Sequence, residues 1–248
     1  MAKYFVSSDI HSAYTPWMKA LNKAGFDENN PDHKIIVCGD LFDRMDESKY
    51  VYEFALDMLN KDKLIYVMGN HELLMRDMLD RGIPLWHDRH NGTMKTYYQL
   101  LEAYSDKMDG KKNPNEIVRE LLQPLYDKMV NYFETKHYVF CHGFLPVVRQ
   151  SDGSYKINRH WRRASQKNWE DATWPNGMEM VHNGLYLKDK RIVVGHFHSS
   201  WARAQFEDKP EFGDGADFSP YYYEDKLIAI DSCVAHTGKV NVLVIEDD

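Results

Sequence analysis

The chain predicts an α/β fold built on a largely parallel sheet, with a second, partly antiparallel sheet toward its C-terminal end. Three observations carry that reading. Apolar runs and helix-period segments alternate over the first 80 residues, as in βαβ units. The runs lack polar alternation, as strands buried on both faces do. Five short polar segments stand immediately after five of the runs, where open α/β sheets place their ligands. At 248 residues the chain fits one such domain, 1–248, able to bury roughly three quarters of its unfolded surface without disulfide staples.

The elements follow in order. Tyr4–Ser7 is the first strand. Thr15 as cap, Pro16 at the first helical position and Gly25 past the end bracket a helix. Lys34–Cys38 is the second strand, and Tyr50, Val51, Phe54, Ala55, Met58 and Leu59 recur at helical spacing. Leu64–Met68 is the third strand, followed by a helix over Leu73–Arg81 that Gly82 closes. Residues 96–133 read as a helical insertion, with Asn113 as cap, Pro114 at the first position, Glu116 in the capping-box place and a kink or break at Pro124. Tyr138–Cys141 returns to strand. Residues 144–187 show no clear period and carry Trp161, Trp169 and Trp174 beside Arg159, Arg162 and Arg163. Strands at Arg191–Val194, Leu227–Ile230 and Val240–Ile245, with no helices between them, supply the second sheet.

Composition excludes several classes. With 43% hydrophobic and 28% charged residues, and 14 Gly and 9 Pro, the chain is neither disordered nor collagen-like. Its net charge of −7 gives no reason to expect strong non-specific binding to nucleic acid or to an anionic membrane. No stretch approaches the ~20 apolar residues of a membrane span, and Lys3 places a charge too early for a secretory signal. Cys38, Cys141 and Cys233 form no pairing framework and read as reduced thiols beside apolar runs. The expectation is a cytoplasmic protein.

Chemistry concentrates in the five segments: Asp9-Ile10-His11, Gly39-Asp40-Leu41-Phe42-Asp43-Arg44, Gly69-Asn70-His71-Glu72, Cys141-His142-Gly143 and Gly195-His196-Phe197-His198. They hold five of the 12 histidines. Asp9 and His11, two apart, point the same way from an extended strand end. Asp40 offers a carboxylate able to bridge two ions, Asn70 an amide oxygen, and His142, His196 and His198 imidazole nitrogens. Such an oxygen and nitrogen set without thiolate suits Mn²⁺, Fe or Zn²⁺. Seven donors are too many for one ion and about right for two, the arrangement that clamps a phosphoryl group in line. Each motif alone is compatible with ordinary turn chemistry or a hydrogen-bonded core histidine; their joint order is not.

In that order, D-x-H, GD-x-x-DR, GNHE, HG and GH-x-H, the sequence resembles the calcineurin-like metallophosphoesterases over most of residues 1–245. It is most similar to their phosphoprotein phosphatase branch, which holds Ser/Thr protein phosphatases and bacterial diadenosine tetraphosphatases. The resemblance implies a four-layer sandwich, two mixed β-sheets flanked by helices. It implies Asp9, His11 and Asp40 on one divalent ion, and Asp40, Asn70, His142 and His196 on a second, with Mn²⁺ the first candidate. It implies His71 as the acid that protonates the leaving oxygen, Asp43 as its carboxylate partner and Arg44 on the substrate phosphate. A W-x-R pattern nominates Arg163 as a second clamp, with Arg162 or Arg159 as alternatives. His198 is assigned to the first ion, or else to a hydrogen-bonding role. Asp231 resembles a structural residue of the family's C-terminal strand, and nothing separates His160, His182 or His236 from surface histidines. Ser12, Met45 and Phe144 depart from the branch pattern.

The implied activity is hydrolysis of phosphomonoesters by a metal-bridging hydroxide, on a phosphoprotein or a nucleotide. The alternative is a dinucleoside polyphosphate or phosphodiester hydrolase, with Trp169 or Trp174 stacking a base. A binding scaffold without activity is the reading that the complete donor set disfavours.

Overall fold

The computed structural model describes residues 2–104 and 113–248. Residues 105–112 of the expected helical insertion lie outside them. The first sheet runs β11 (Leu243–Asp247), β1 (Ala2–Ser7), β2 (His33–Cys38), β3 (Leu64–Val67), parallel except at β11. The second runs β4 (Phe133–Glu134), β5 (Tyr138–Phe140), β8 (Arg191–Val194), β10 (Leu227–Ala229), β9 (Tyr221–Tyr223), parallel at its centre and antiparallel at both edges.

Period-2 alternation explains why the strands read as unbroken apolar runs. Tyr4, Val6, Ile36, Cys38 and Val67 meet Phe140, Val193, Ile228 and Ile230 between the sheets. Phe5, Ile35, Val37, Leu64 and Tyr66 point the other way, under α1 (Tyr14–Ala24), α2 (Ser48–Asn60), α3 (Asn70–Arg81), α5 (Thr93–Ala103) and α6 (Pro114–Tyr126). The short α4 (Trp86–His90) links α3 to α5. Val139, Cys141, Ile192 and Val194 pack under α7 (Gln166–Ala172), α8 (Gly177–His182) and α9 (Ser199–Phe206). The result is helices, sheet, sheet, helices, the four layers expected. Among the described residues no helix is long and apolar enough to cross a membrane.

The structure corrects several boundaries. Helix α1 begins at Tyr14, so Thr15 is inside it and Pro16 is its third residue. Thr15 does not cap; its amide and hydroxyl donate to the Glu47 carboxylate, 2.9 and 2.5 Å away, so a distant side chain serves the helix end. Helix α3 begins at Asn70, three residues earlier than expected, because Glu72 reaches back to accept from the Gly69 amide at 2.8 Å. Asn113, Pro114 and Glu116 cap α6 as read, but the helix runs through Pro124 and ends two residues later. At that position the ring costs only one bond of the last turn, while Ile117, Val118, Leu121, Leu122 and Leu125 are buried. The aperiodic stretch 144–187 holds a hairpin, β6 (Val147–Arg149) and β7 (Tyr155–Ile157), a 3₁₀ turn at Trp161–Arg163, and α7 and α8. The late strands are separated by α9 and by α10 (Val234–Thr237), and the last of them, β11, pairs with β1 in the first sheet instead of joining the second, both contrary to expectation.

One carboxylate ties the two sheets together. Asp247 on β11 accepts from the Thr135 hydroxyl (2.7 Å), the His137 amide (2.8 Å) and the His137 ring (2.7 Å), all beside β4 and β5 of the other sheet. Burial alone would raise its pKa, yet these donors hold it down at about 2. A depressed carboxyl stabilises the fold above its unfolded pKa, ~3.9, and that contribution fades as pH falls toward 2. We therefore expect Asp247→Ala to cost roughly 1–2 kcal/mol in urea melts at pH 7. The difference from wild type should shrink below pH 4; a constant difference down to pH 2 would show that the carboxylate is not what joins the sheets.

Candidate metal centre

The five segments meet where the parallel strands of both sheets end. The chain leaves β1 and β2 through left-handed backbone: φ is 52° at Asp9, 48° at His11, 55° at Asp40, 80° at Asp43 and 61° at Arg44, with His196 at 67° after β8. Such angles cost an L-residue on the order of 1 kcal/mol each, and they swing the side chains off the strand axis into one space. Ser12, where the family pattern has Gly, also sits at φ 60°; it is buried, its hydroxyl 2.8 Å from that of Ser48. Gly39, at φ 79°, has no room for a side chain, since a Cβ there would lie 2.6 Å from the His142 ring.

Asp40 is the centre. Its Oδ1 accepts from the His71 amide at 3.0 Å and lies 3.3 Å from His142 Nε2. Its Oδ2 lies 3.8 Å from His71 Nε2 and 3.9 Å from His11 Nε2. Asp9 Oδ1 stands 3.8 Å from the same His11 nitrogen, while its Oδ2 accepts from the Ser8 hydroxyl and from the His196 amide at 2.9 Å. His142 places Nε2 2.8 Å from Asn70 Oδ1. Among the described residues, donor atoms within 4.8 Å of one another form two groups that share Asp40: His11, Asp40, His71, and Asp40, His142, His196.

Electrostatics follow from burial and proximity. Burial pushes Asp9 up to about 6, with the His142 charge opposing. Burial would also raise Asp40, but the neighbouring imidazoles hold it well below the carboxylate range. Burial lowers His142, yet Asp40 and Asp9 carry it to about 10. Burial and the His142 charge bring His196 down to about 3, and burial takes His11 well below 6.5.

His71 is set apart by its partners. Nδ1 is 2.7 Å from Asp43 Oδ2, which also accepts from the Thr93 hydroxyl at 2.9 Å, and the Asp43 amide donates to Thr96 Oγ1 at 2.9 Å. Nε2 faces the cleft, 3.4 Å from Arg44 Nη2. Burial opposes its protonation, but Asp40 and Asp43 outweigh it and raise the pKa.

This geometry meets an independent finding. The family description "Calcineurin-like phosphoesterase" matches residues 2–233. The chain belongs to the calcineurin-like phosphoesterases. Curated relatives are bis(5'-nucleosyl)-tetraphosphatases PrpE (asymmetrical). That of Geobacillus sp. (strain WCH70) is 32% identical over 117 residues, 44% of this chain and 47% of that relative. That of Anoxybacillus flavithermus is 32% identical over 91 residues, 34% of this chain and 37% of that relative. The matched stretches thus span less than half the relatives' length. Among solved structures, a Saccharomyces cerevisiae Ser/Thr phosphatase similar to human PP5 superposes with TM-score 0.53 at 15% identity, over 100% of this chain and 80% of that one. A Shewanella cold-active protein-tyrosine phosphatase gives 0.57 at 16%, over 99% and 76%. These two likenesses concern the fold.

A phosphoesterase of this family uses divalent metal, and the residues present suit it. His11 Nδ1 donates to the Phe42 carbonyl at 2.9 Å, which leaves Nε2 to face Asp9 and Asp40. Donors 3.8–3.9 Å apart are too far for a hydrogen bond and near enough to share an ion held at ~2.1 Å. Two carboxylates in a buried site also call for cationic charge.

Other sequence assignments distribute differently. His198 joins neither donor group: Nδ1 is 2.9 Å from Ser200 Oγ and Nε2 3.3 Å from Glu211. Arg162 is held by Glu134, at 2.8 Å through Nε, and Arg163 is exposed with no ion-pair partner among the described residues. Arg159 is exposed too. Trp169 cannot present its ring to a base, being 2% exposed and stacked on Tyr132 at 4.9 Å. Asp231 is buried and raised well above the carboxylate range by burial and by Asp9; its Oδ1 accepts from the Cys233 amide at 2.7 Å. His160 and His236 are exposed, and His182 stacks on Phe206 at 3.4 Å.

Sequence reasoning missed three contributors. Glu72 accepts from the amides of Gly69 (2.8 Å), Asp40 (3.0 Å) and Leu41 (2.9 Å), which joins the second and third segments. Thr93 and Thr96 bind Asp43 from one face of α5; their i, i+3 spacing is the only signal the sequence offers. We expect calorimetric titration of metal-stripped protein with Mn²⁺ to give two ions per chain. Asp40→Asn should bind fewer than one with unchanged near-UV dichroism, and two retained ions would remove Asp40 from the bridging position.

Proposed function

We propose that the chain is a two-metal hydrolase of dinucleoside polyphosphates, with His71 as the proton donor to the leaving oxygen. The observation that carries this is the buried His71–Asp43 pair, which opens onto Asp40 with a guanidinium beside it. In this reading Asp9, His11 and Asp40 hold one ion, and Asp40, Asn70, His142 and His196 the other, Mn²⁺ being the first to load. His198 is left out of the set because Glu211 and Ser200 occupy its ring nitrogens. When bound, two divalent ions supply Lewis acidity and lower the pKa of water.

The chain's own groups do the rest. Asp43 accepts from Nδ1 and so fixes which nitrogen of His71 faces the cleft; the Thr93 hydroxyl in turn fixes the carboxylate. A proton at Nε2 then lies where an alkoxide or phosphate must depart. Arg44 offers a planar fork that matches two phosphate oxygens. The substrate class is supported by the matched tetraphosphatases and by the half-exposed Trp174, whose ring meets His196 edge-on at 6.2 Å.

Side-by-side assays of p-nitrophenyl phosphate, bis-p-nitrophenyl phosphate and diadenosine tetraphosphate test the reading. The expected order of kcat/KM puts the dinucleotide first; preference for the monoester would turn the search toward phosphoproteins. His71→Asn should keep two Mn²⁺ ions and lose 10²- to 10⁴-fold in kcat on an alkyl phosphate, with a smaller loss on p-nitrophenyl phosphate, whose leaving group needs little help. Loss of an ion in that variant would make His71 a ligand rather than the acid.

A further inference from the structure

Beside the metal centre a cavity of about 280 Å³ opens between α3 and α7, and neither the donor set nor the His71–Asp43 pair uses it. Its floor is continuous with the site. Asn70, Leu73, Asp77 and Asp80 fall at helical spacings of three and four, so the face of α3 that begins at Asn70 runs on into the cavity wall. The opposite wall is α7 with Lys167, Glu170 and Asp171, and Trp174 closes the end next to His196. Arg76 bridges the two walls, its Nη2 2.6 Å from Glu170 Oε1.

The charges of the wall cancel. Asp77 pairs with Arg81, Asp80 with Arg119 at 2.8 Å, Glu170 with Arg76, and Asp171 with Lys167 at 2.6 Å. Every carboxylate lining the cavity already has a cation. A phosphate would find no unspent positive charge there, and a metal ion no unspent negative charge. A neutral ring would find Leu73, a broad indole face and polar groups for its edges. Trp174 is 49% exposed, and among the described residues its one ring contact is edge-on, so no other ring is stacked on it. The other aromatic cluster near the site is different. Phe212, Phe218, His198 and His236 lie 5.0–6.0 Å from one another in five ring pairs, so although Phe212 is 48% exposed its ring already has three aromatic neighbours.

We propose that the cavity between α3 and α7 is a nucleobase subsite, with Trp174 as the stacking wall and the paired carboxylates as acceptors for ring amino groups. It rests on the dinucleoside polyphosphate reading for its substrate, and it adds which side of the metal centre the nucleoside occupies. Loss of one stacking contact is worth roughly 5- to 150-fold in binding. Trp174→Ala should therefore lower kcat/KM for diadenosine tetraphosphate at least five-fold relative to p-nitrophenyl phosphate, mostly through KM. Trp174→Phe should recover most of the ratio.

Equal losses on both substrates would overturn the proposal and make Trp174 a support for His196. A change in the ratio with Phe212→Ala but not with Trp174→Ala would place the base in the other cluster. The subsite can also fail or stand without turnover. AMP binding to the Asp40→Asn protein, followed by calorimetry, should weaken at least five-fold when Trp174→Ala is added. Unchanged affinity there overturns the subsite, whereas weakened affinity in an enzyme that ignores diadenosine tetraphosphate sustains it and rejects only the dinucleotide as substrate.

Discussion

The rest of the site depends on one buried negative charge. Asp40 stands 2% exposed among imidazoles from three segments and beneath the first turn of α3. A lone carboxylate in that position would be costly to ionise. What keeps it charged is the set of donors aimed at it: the His71 amide and three ring nitrogens within 4 Å. A cation bound there would have to replace the protons on these nitrogens, so metal and protons compete for the space around Asp40.

That convergence is held by strain placed at the strand ends. Seven of the eleven left-handed non-glycine residues among those described are Asp9, His11, Ser12, Asp40, Asp43, Arg44 and His196. At on the order of 1 kcal/mol each, such strain persists only where the surroundings over-determine it. Glu72 is one reason it persists: a single buried carboxylate gathers the amides of Gly69, Asp40 and Leu41, so the turns after β2 and β3 cannot relax separately. The sheets behind them supply the rigid frame, with Phe5, Ile35 and Val37 on one face and Val6, Ile36 and Cys38 on the other fully buried.

How much of this was legible in the sequence depends on how local the cause is. Strand positions were read closely because a strand buried on both faces leaves an unmistakable apolar run, as at His33–Cys38. The order of the donor segments could be read because each follows its strand directly. The structure brings Asp9, His11, Asp40, Asn70, His71, His142 and His196 together. What failed depends on contacts across the chain. Thr15 looks like a cap, but Glu47, 32 residues away, does that work. Pro124 looks like a break, but five buried aliphatic side chains hold α6 around it. His198 has the spacing of a ligand, yet its ring nitrogens face Ser200 and Glu211 rather than the two donor groups. Trp169 and Trp174 are five residues apart and indistinguishable as letters, yet Tyr132 and Trp161 bury one and leave the other at the cleft.

Helix α5, which begins three residues before the expected insertion at 96–133, is what braces the Asp43 carboxylate that faces His71. Helix α5 delivers Thr93 and Thr96 to Asp43, and Gly92, at φ 90°, lets the Asp43–Arg44 turn lie against its first residue, where a Cβ would come 2.3 Å from the Arg44 amide. None of these residues belongs to the donor set. The turns after the strands place Asp9, His11, Asp40, His142 and His196, while Asn70 and His71 open α3, on which α5 and α6 pack, so the turn that carries Asp43 and Arg44 is braced from the helical side.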